Sequence, residues 1–296
     1  MHPIIYTYQN VFKRKIERSE FLAFKRLFQG SRDVVYIKKC ITTFKENEDK
    51  LKRMFWKQKM FILEKKYANI SFNQIPQNVE NIMVIVEPRK HTHFKAVLKN
   101  MVYHLPHWGL HIFHGTENKQ FLLDIIGQDH KVTLTNLQTD NLTMNDYNNL
   151  LTSIDFWKQI KGENVLIFQT DVLLRKGDIE KFLEYDYIGS PWDPLNPCVK
   201  QTKSVVGNGG FSLRSRHKSE KICEKYLREN SNEDVFFSQY MTAEKHNIPD
   251  VTIARKFSIG QETREYKSKG KNPLGLHKIY NNPYLRLDDI KELLDF

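Results

Sequence analysis

Apolar residues recur along this chain with two different periods, and the change between them falls near residue 78. From residue 10 to about 66 the period is helical. Phe12, Ile16, Phe21, Phe24 and Phe28 keep roughly to one face and Gly30 supplies a stop. A second helical stretch runs through Ile37, Ile41 and Phe44, and a third covers residues 51–66. Periodicity fails over residues 71–77, where Pro76 marks a boundary. Beyond it, short β-type runs alternate with helical ones. Strands are predicted at 81–86 (NIMVIV), 110–114 and 131–134, and helices at 94–104, 119–126 and 143–158. This βαβα order predicts a parallel sheet with helices on both faces.

The run VLIFQTDVL, residues 165–173, is the centre of that pattern. Val165, Leu166, Ile167 and Phe168 form a continuous apolar strand, which stops at Gln169, Thr170 and Asp171 before apolar residues resume. Such a run fits a strand buried on both faces. Ligands of open α/β sheets gather beyond the carboxyl ends of the strands. Asp171 is therefore expected at the rim, where a carboxylate meets a divalent metal or a sugar hydroxyl; the plain alternative is a turn cap. Further on, 186–192 (DYIGSPW) reads as a short strand and turn, 205–213 as two strands around a glycine cluster, and 218–229 and 232–245 as helices. The tail from Ala254 has little regular pattern apart from the step Gly275, Leu276, His277.

Composition changes this picture in two ways. The net charge of +11 is carried almost wholly by residues 1–78, where 17 Lys/Arg face 7 Asp/Glu, a net of +10. Basic residues interleaved with Met54, Phe55, Trp56, Phe61 and Ile62 either grip nucleic acid or form solvated helix faces, and the second is the commoner use. The three cysteines, Cys40, Cys198 and Cys223, are far apart and form no CxxC, which speaks for a reducing compartment rather than a disulfide or zinc framework. No apolar stretch is long enough to span a bilayer and the first residues lack a signal-peptide pattern, so a cytoplasmic location is expected.

Four features carry candidate chemistry: Gln169-Thr170-Asp171, Gly207-Asn208-Gly209-Gly210, Glu233-Asp234 and His277. The glycine cluster has neither the dinucleotide nor the P-loop spacing. Its glycines let backbone approach a flat ligand such as a sugar ring, or make a tight hairpin. Glu233 and Asp234 are either first-turn acids of a helix or a source of a general base. Asp171 and His277 together supply an oxygen and a nitrogen donor of the kind Mn²⁺ accepts.

The ordered set EPRKH, DYNNLLTSIDFW, LIFQTD, DYIGSPW, GNGGFSLRS, EDVFFS and GLHK resembles an uncharacterised glycosyltransferase-like domain family of large DNA viruses, bacteria and fungi. The resemblance covers residues 81–278 and leaves out the N-terminal helices. It implies a GT-A-like fold, a Rossmann-like mixed sheet flanked by helices, over residues 79–296, preceded by a basic helical segment over 1–78. It implies a nucleotide-sugar donor, a UDP-sugar foremost, a glycan or protein hydroxyl as acceptor, and a divalent cation, Mn²⁺ ahead of Mg²⁺. The transferred group would be a hexosyl or N-acetylhexosaminyl unit.

Residue by residue, Asp171 would be the retained carboxylate of an Asp-x-Asp metal motif, with Gln169 in place of the first Asp and facing ribose or sugar together with Thr170. His277 would complete the metal shell and Lys278 would support the diphosphate charge. Glu87 and Arg89 match the region receiving base and ribose. Trp192, Asn208, Gly209 and Gly210 would line the sugar and acceptor side, and Asp234, beside Glu233, would be the base of an inverting transfer. Two other classes compete: an inactive sugar- or nucleotide-binding module, which the Gln169 replacement favours, and a nucleic-acid-binding protein using the basic helices.

Overall fold

The computed structural model describes residues 3–28, 34–264 and 272–296. The chain divides into two compact units, residues 60–278 and residues 1–59 with 279–296. The larger unit is a mixed α/β fold. Its six-stranded sheet uses β1 (Asn81–Val86), β2 (Gly109–His114), β3 (Thr133–Asn136), β4 (Asn164–Phe168), β6 (Tyr187–Pro191) and β7 (Val206–Ser215), in the order β3-β2-β1-β4-β7-β6. The first four strands are parallel, and β7 pairs antiparallel with both β4 and β6. The sheet is thus mixed rather than wholly parallel, which makes it compatible with a Rossmann-like build. A small second sheet, β5 (Val172–Leu174), β9 (Gly275–His277) and β8 (Ser258–Ile259), follows directly on β4.

Alternation explains how the strands sit. Ile82, Val84 and Val86 of β1 and Val165 and Ile167 of β4 point to one face, where they meet Leu151, Phe156, Trp157, Ile222, Phe236, Phe237 and Met241. On the other face Phe257 stacks on Phe211 of β7 at 4.8 Å. Both faces are covered, so the strands read as unbroken apolar runs, as expected for buried parallel strands. Each fully buried Leu, Ile or Phe contributes about 1.5–3 kcal/mol.

The helices between the parallel strands begin with α4 (Phe94–His104), α5 (Lys119–Ile126) and α6 (Met144–Leu151). The helix expected over 143–158 is two, because α6 stops and α7 (Ile154–Gln159) begins at a new cap. Thr152 Oγ1 and Ser153 Oγ donate to the carbonyls of Asn148 and Leu150 at 2.8 Å each, and Ser153 Oγ accepts from Phe156 N. Side chains that compete for helix backbone groups in this way end the helix. Next come α8 (Pro197–Thr202), α9 (Arg216–Lys225), α10 (Glu233–Ala243) and α11 (Val251–Phe257). The segment expected as two strands around the glycines is one strand, β7, with the glycines inside it. The described part of the tail beyond Ala254 is more ordered than its sequence pattern indicates, since α11 leads into β8, which pairs with β9, and β9 pairs with β5.

The smaller unit contains α1 (Pro3–Phe12), α2 (Arg18–Phe28), the first part of α3 (Val34–Lys66) and a closing helix, Leu287–Leu294. The two helical stretches read over 37–66 are one unbroken helix, and the stop expected at Gly30 lies outside the described residues. Ile4, Tyr8, Phe12, Phe24, Ile37 and Ile41 form its core. Glu20 is its polar hub, accepting from Tyr8, Arg14 and Arg286. Trp56 is buried against Tyr280 at 5.3 Å, which takes one of the interleaved aromatics out of any binding surface. The stretch where periodicity fails near Pro76 belongs to the larger unit, because Tyr67, Phe72 and Ile75 are buried and Lys131 N donates to Phe72 O at 3.0 Å. The units therefore divide at residue 60, and residues 279–296 return to the first.

Candidate functional site

Strand order reverses between β1 and β4, the point at which ligands of an α/β sheet gather beyond the carboxyl ends of the strands. Two loops leave the sheet there, Glu87 to His91 after β1 and Gln169 to Asp171 after β4. β7 is locally irregular at the same level. Phe211 pairs with Phe168, the last residue of β4, while on the other side Gly189 faces Ser212 but Ser190 faces Asn208. Residues 209–211 have no partner on β6, so β7 bulges where β4 ends.

The two glycines of that bulge are close-approach positions. A Cβ on Gly210 would sit 2.3 Å from His277 Nε2 and 2.8 Å from Gln169 Oε1. A Cβ on Gly209 would sit 2.1 Å from Glu233 Oε1 and 2.9 Å from the Asp234 Cβ. Glycine is needed here so that side chains from β4's exit, β9 and α10 can converge on one stretch of backbone. Four features far apart in sequence are thereby brought to one place: Gln169 and Asp171, the glycine pair, Glu233 and Asp234, and His277.

Asp171 and His277 face each other, with Asp171 Oδ1 3.5 Å from His277 Nε2. They sit on adjacent strands' ends, since Val172 pairs with His277 and Lys278 N donates to Asp171 O at 2.9 Å. Burial pushes the Asp171 carboxyl up, but His277 and the Lys278 charge outweigh it and hold its pKa below the usual value. Asp171 Oδ1 and both ring nitrogens of His277 are buried without a hydrogen-bond partner. Orphaned donor atoms of this kind, a carboxylate oxygen beside an imidazole nitrogen, suit a divalent cation. Among the described residues no third His, Cys, Asp or Glu joins them. The pair fits a cation that takes its remaining ligands from a bound molecule and water.

Glu233 and Asp234 have opposite surroundings. Glu233 is buried and bonded to Arg214, whose Nη1 donates to Glu233 Oε2 at 2.7 Å. Arg214 is fully buried, between the rings of Tyr187 and Phe237, each 5.0 Å away. Such a pair is committed to holding the site together. Asp234 is half-buried and accepts only from the backbone, Gly209 N at 3.2 Å and Val235 N at 2.8 Å. Desolvation and the neighbouring Glu233 charge push its pKa from 3.8 to about 7, against the pull of those amides and Arg214. Of the two acids, Asp234 is the one poised to exchange a proton near neutrality. The N-terminus of α10 is fixed by Asn148, whose Oδ1 accepts from Glu233 N at 3.0 Å.

The remaining sequence candidates fall into two groups. Thr170 is buried, Asn208 Oδ1 is buried without a partner on β7, and Lys278 stands half-buried beside Asp171 with a left-handed backbone, φ 53°. Glu87 and Arg89 bond each other in a fork, Nε to Oε1 at 2.8 Å and Nη2 to Oε2 at 2.9 Å, so the Glu87 carboxylate is occupied. Asn118, fully buried, fixes this loop by donating to the carbonyls of Glu87 and Arg89. Trp192 is buried, with its amide bonded to Val205 O, and no contact ties it to the acids.

Three residues were not singled out from sequence. Arg214 is a charge inside a buried strand, which in itself demands a partner, but nothing in sequence says that the partner is Glu233. Tyr147 is a half-buried tyrosine with its pKa raised by burial first and then by Glu233, while Gln169 pulls it down, which places its hydroxyl within the same group. His91, after β1, has its pKa lowered by burial and is drawn upward by Glu87 and Asp171.

Sheet order, switch point and converging acids define an α/β protein with a cluster of polar side chains beyond the carboxyl ends of its central strands. A family model described as "Protein of unknown function (DUF5672)" matches residues 131–277. The match runs from the approach to β3 through His277, so it takes in Asp171, the glycines, Glu233, Asp234 and the histidine but not the β1 loop. No curated protein matches the chain.

Proposed function

We infer that the cleft is the donor site of a metal-assisted glycosyltransferase with a GT-A-like fold, which moves a sugar from a nucleotide-sugar to a hydroxyl acceptor. The observation that carries this reading is the division of labour among the acids. Asp171 is held ionised beside His277, whereas Asp234 is held near neutral pKa on the opposite side of the glycine pair. An inverting transfer needs one anionic site for a cation and one carboxylate able to take a proton, and these two residues supply both.

Asp171 and His277 would hold the divalent cation, whose chemistry is to neutralise the charge that grows on a departing diphosphate. Lys278 adds positive charge on the same side. Asp234 accepts the proton of the attacking hydroxyl as the acceptor oxygen bonds the anomeric carbon and the sugar–phosphate bond breaks. Glu233 is paired with Arg214, and its charge raises the proton affinity of Asp234. Gln169 and Tyr147 present an amide and a hydroxyl to the sugar or ribose. Asn148 holds the first turn of α10, and with it Asp234, in register.

Gln169 also favours a second reading, a module that binds nucleotide-sugar without turning it over, because one carboxylate of the usual metal motif is an amide. Donor consumption separates the two. Released nucleotide, the diphosphate from UDP-, GDP- and TDP-sugars and CMP from CMP-sugars, would be measured with Mn²⁺ for the wild type and Asp234→Ala. Turnover by the wild type that drops at least about a hundredfold in Asp234→Ala supports transfer. Binding of one donor with no turnover in either protein supports the module.

A further inference from the structure

A second cavity, 420 Å³ in volume, opens beside the helix that carries Asp234. Its walls are Gln201, Leu227, Glu229, Asn230, Gln239 and Tyr240, from α8, the loop between α9 and α10, and α10 itself. Ser231 also lines it, and Ser231 lies less than one helical turn from Asp234 in sequence. None of the candidate cleft residues lines it, so it is a separate pocket.

Its chemistry is selective. Three carboxamides offer both donors and acceptors, the pattern that matches the hydroxyls of a neutral polyol. Among the described residues neither Lys nor Arg lines the cavity, and Glu229 adds a negative charge, so a phosphate or nucleotide would meet repulsion. Apolar surface comes from Leu227, which is 87% exposed, and from the Tyr240 ring. That ring is stacked on Tyr226 at 3.9 Å and set edge-on to Phe236 at 5.1 Å, so it is a fixed wall against which the C–H face of a sugar can pack.

The pocket is also preorganised. Arg228 donates to Ser231 O at 2.6 Å and to Asn145 Oδ1 at 2.6 Å, and it also bonds Asn149, which fastens the α9–α10 loop to α6. Gln201 and Gln239 hold each other across the rim at 3.0 Å. Loops tied down in this way bind with less ordering cost than free ones.

We propose that this cavity is a subsite for a neutral glycan, binding sugar units of the acceptor that do not react while the reacting hydroxyl extends toward Asp234. The proposal rests on the transferase reading for its connection to the cleft, and on the cavity alone for its ligand class. The ligand is an oligosaccharide of unmodified hexoses or N-acetylhexosamines; a nucleotide, a phosphorylated sugar and an acidic glycan are excluded by the charge pattern.

The test is calorimetric titration of the full chain with chitobiose, cellobiose, maltose and lactose, and with UDP as the anionic probe, using wild type, Gln239→Ala and Tyr240→Ala. Thermal unfolding of each variant is measured first. Gln239→Ala removes a partly exposed amide and keeps the proposal testable if loss of the Tyr240 stack unfolds the protein. At least one disaccharide is expected to bind wild type, with affinity lowered about tenfold or more in Gln239→Ala through loss of one or two hydrogen bonds. Disaccharide affinity untouched by Gln239→Ala, no disaccharide binding at all, or UDP affinity that falls with Gln239→Ala would each overturn the proposal. Saccharide binding lost in Gln239→Ala, in a protein that turns over no nucleotide-sugar, would leave this subsite standing and remove the transferase reading.

Discussion

Replacing Asp234 by Asn should make the protein more stable at pH 8 and less stable at pH 4.5, an inversion few other single substitutions would produce. The folded protein raises the Asp234 pKa from 3.8 to about 7. Between those values the folded state keeps a proton that the unfolded chain has released, so this group's contribution to stability falls as pH rises through the window and stays low above it. At about 1.4 kcal/mol per unit, the cost of ionising Asp234 in place approaches roughly 4 kcal/mol at pH 8. Asparagine carries no such cost, but it can accept from only one of the two backbone amides, Gly209 N and Val235 N, that the carboxylate serves. Leaving the other amide unmatched costs about 1–3 kcal/mol at every pH. The net is a gain of about 2 kcal/mol at pH 8 and a loss of about 1 kcal/mol at pH 4.5, where ionisation of the unfolded chain has already cost the wild type about 1 kcal/mol. In a domain of this size that corresponds to a Tm raised by roughly 4–8 °C at pH 8 and lowered by roughly 2–4 °C at pH 4.5. Thermal unfolding of wild type and Asp234→Asn across pH 4.5 to 8.5 reads it directly. A difference in Tm that is the same at both ends would refute the claim that Asp234 is a near-neutral acid, and with it the assignment of the base.

Other perturbations test the frame around that acid. Gly210→Ala forces a Cβ to within 2.3 Å of His277 Nε2, and should cost about 1–3 kcal/mol and weaken Mn²⁺-dependent ligand binding, read by unfolding and calorimetry. Arg214→Met leaves the Glu233 carboxylate buried and unpaired, a loss of about 3–5 kcal/mol by denaturant titration, whereas Arg214→Met with Glu233→Met should recover most of it. His111 is buried in β2, which lowers its pKa from 6.5 to about 4. The unfolded chain therefore binds the proton first as pH falls, and stability should drop by roughly 3 kcal/mol between pH 6.5 and 4. His111→Gln should flatten that part of the acid-unfolding profile.

Much of this architecture is legible in the chain. The bounds of β1, α4 and α5 follow directly from period, because each is long enough to show it and is closed within two residues by Glu87, Pro106 or Gly127. The candidate acids, the glycines and His277 are also visible, since polar residues that interrupt apolar strands stand out. What sequence does not carry is pairing. The GNGG segment reads as a hairpin between two strands because glycine suits a turn, yet β7 continues through it, since β6 resumes pairing beyond the bulge, Ser190 with Asn208 and Pro191 with Val206, after β4 has ended opposite Phe211. For the same reason the contrast between Glu233 and Asp234 is invisible in sequence: adjacent acids look alike until Arg214, from a strand elsewhere, meets only one of them. Residues 154–159 continue the apolar period of α6, so the side-chain hydrogen bonds of Thr152 and Ser153 that divide the helix are hidden within it. No helix among the described residues is long and apolar enough to cross a membrane, in keeping with the hydropathy of the chain.

The most direct test of the central claim is calorimetric binding of the nucleotide-sugar panel with and without Mn²⁺, to the wild type and to Asp171→Ala. The account predicts that one nucleotide binds the wild type only when the cation is present, and that Asp171→Ala, folded by thermal unfolding, binds it with or without Mn²⁺ no better than the wild type does without the cation. Equal binding by both proteins, or binding indifferent to Mn²⁺, would contradict the assignment of Asp171 and His277 as the cation site and remove the basis for a metal-assisted transfer in this cleft.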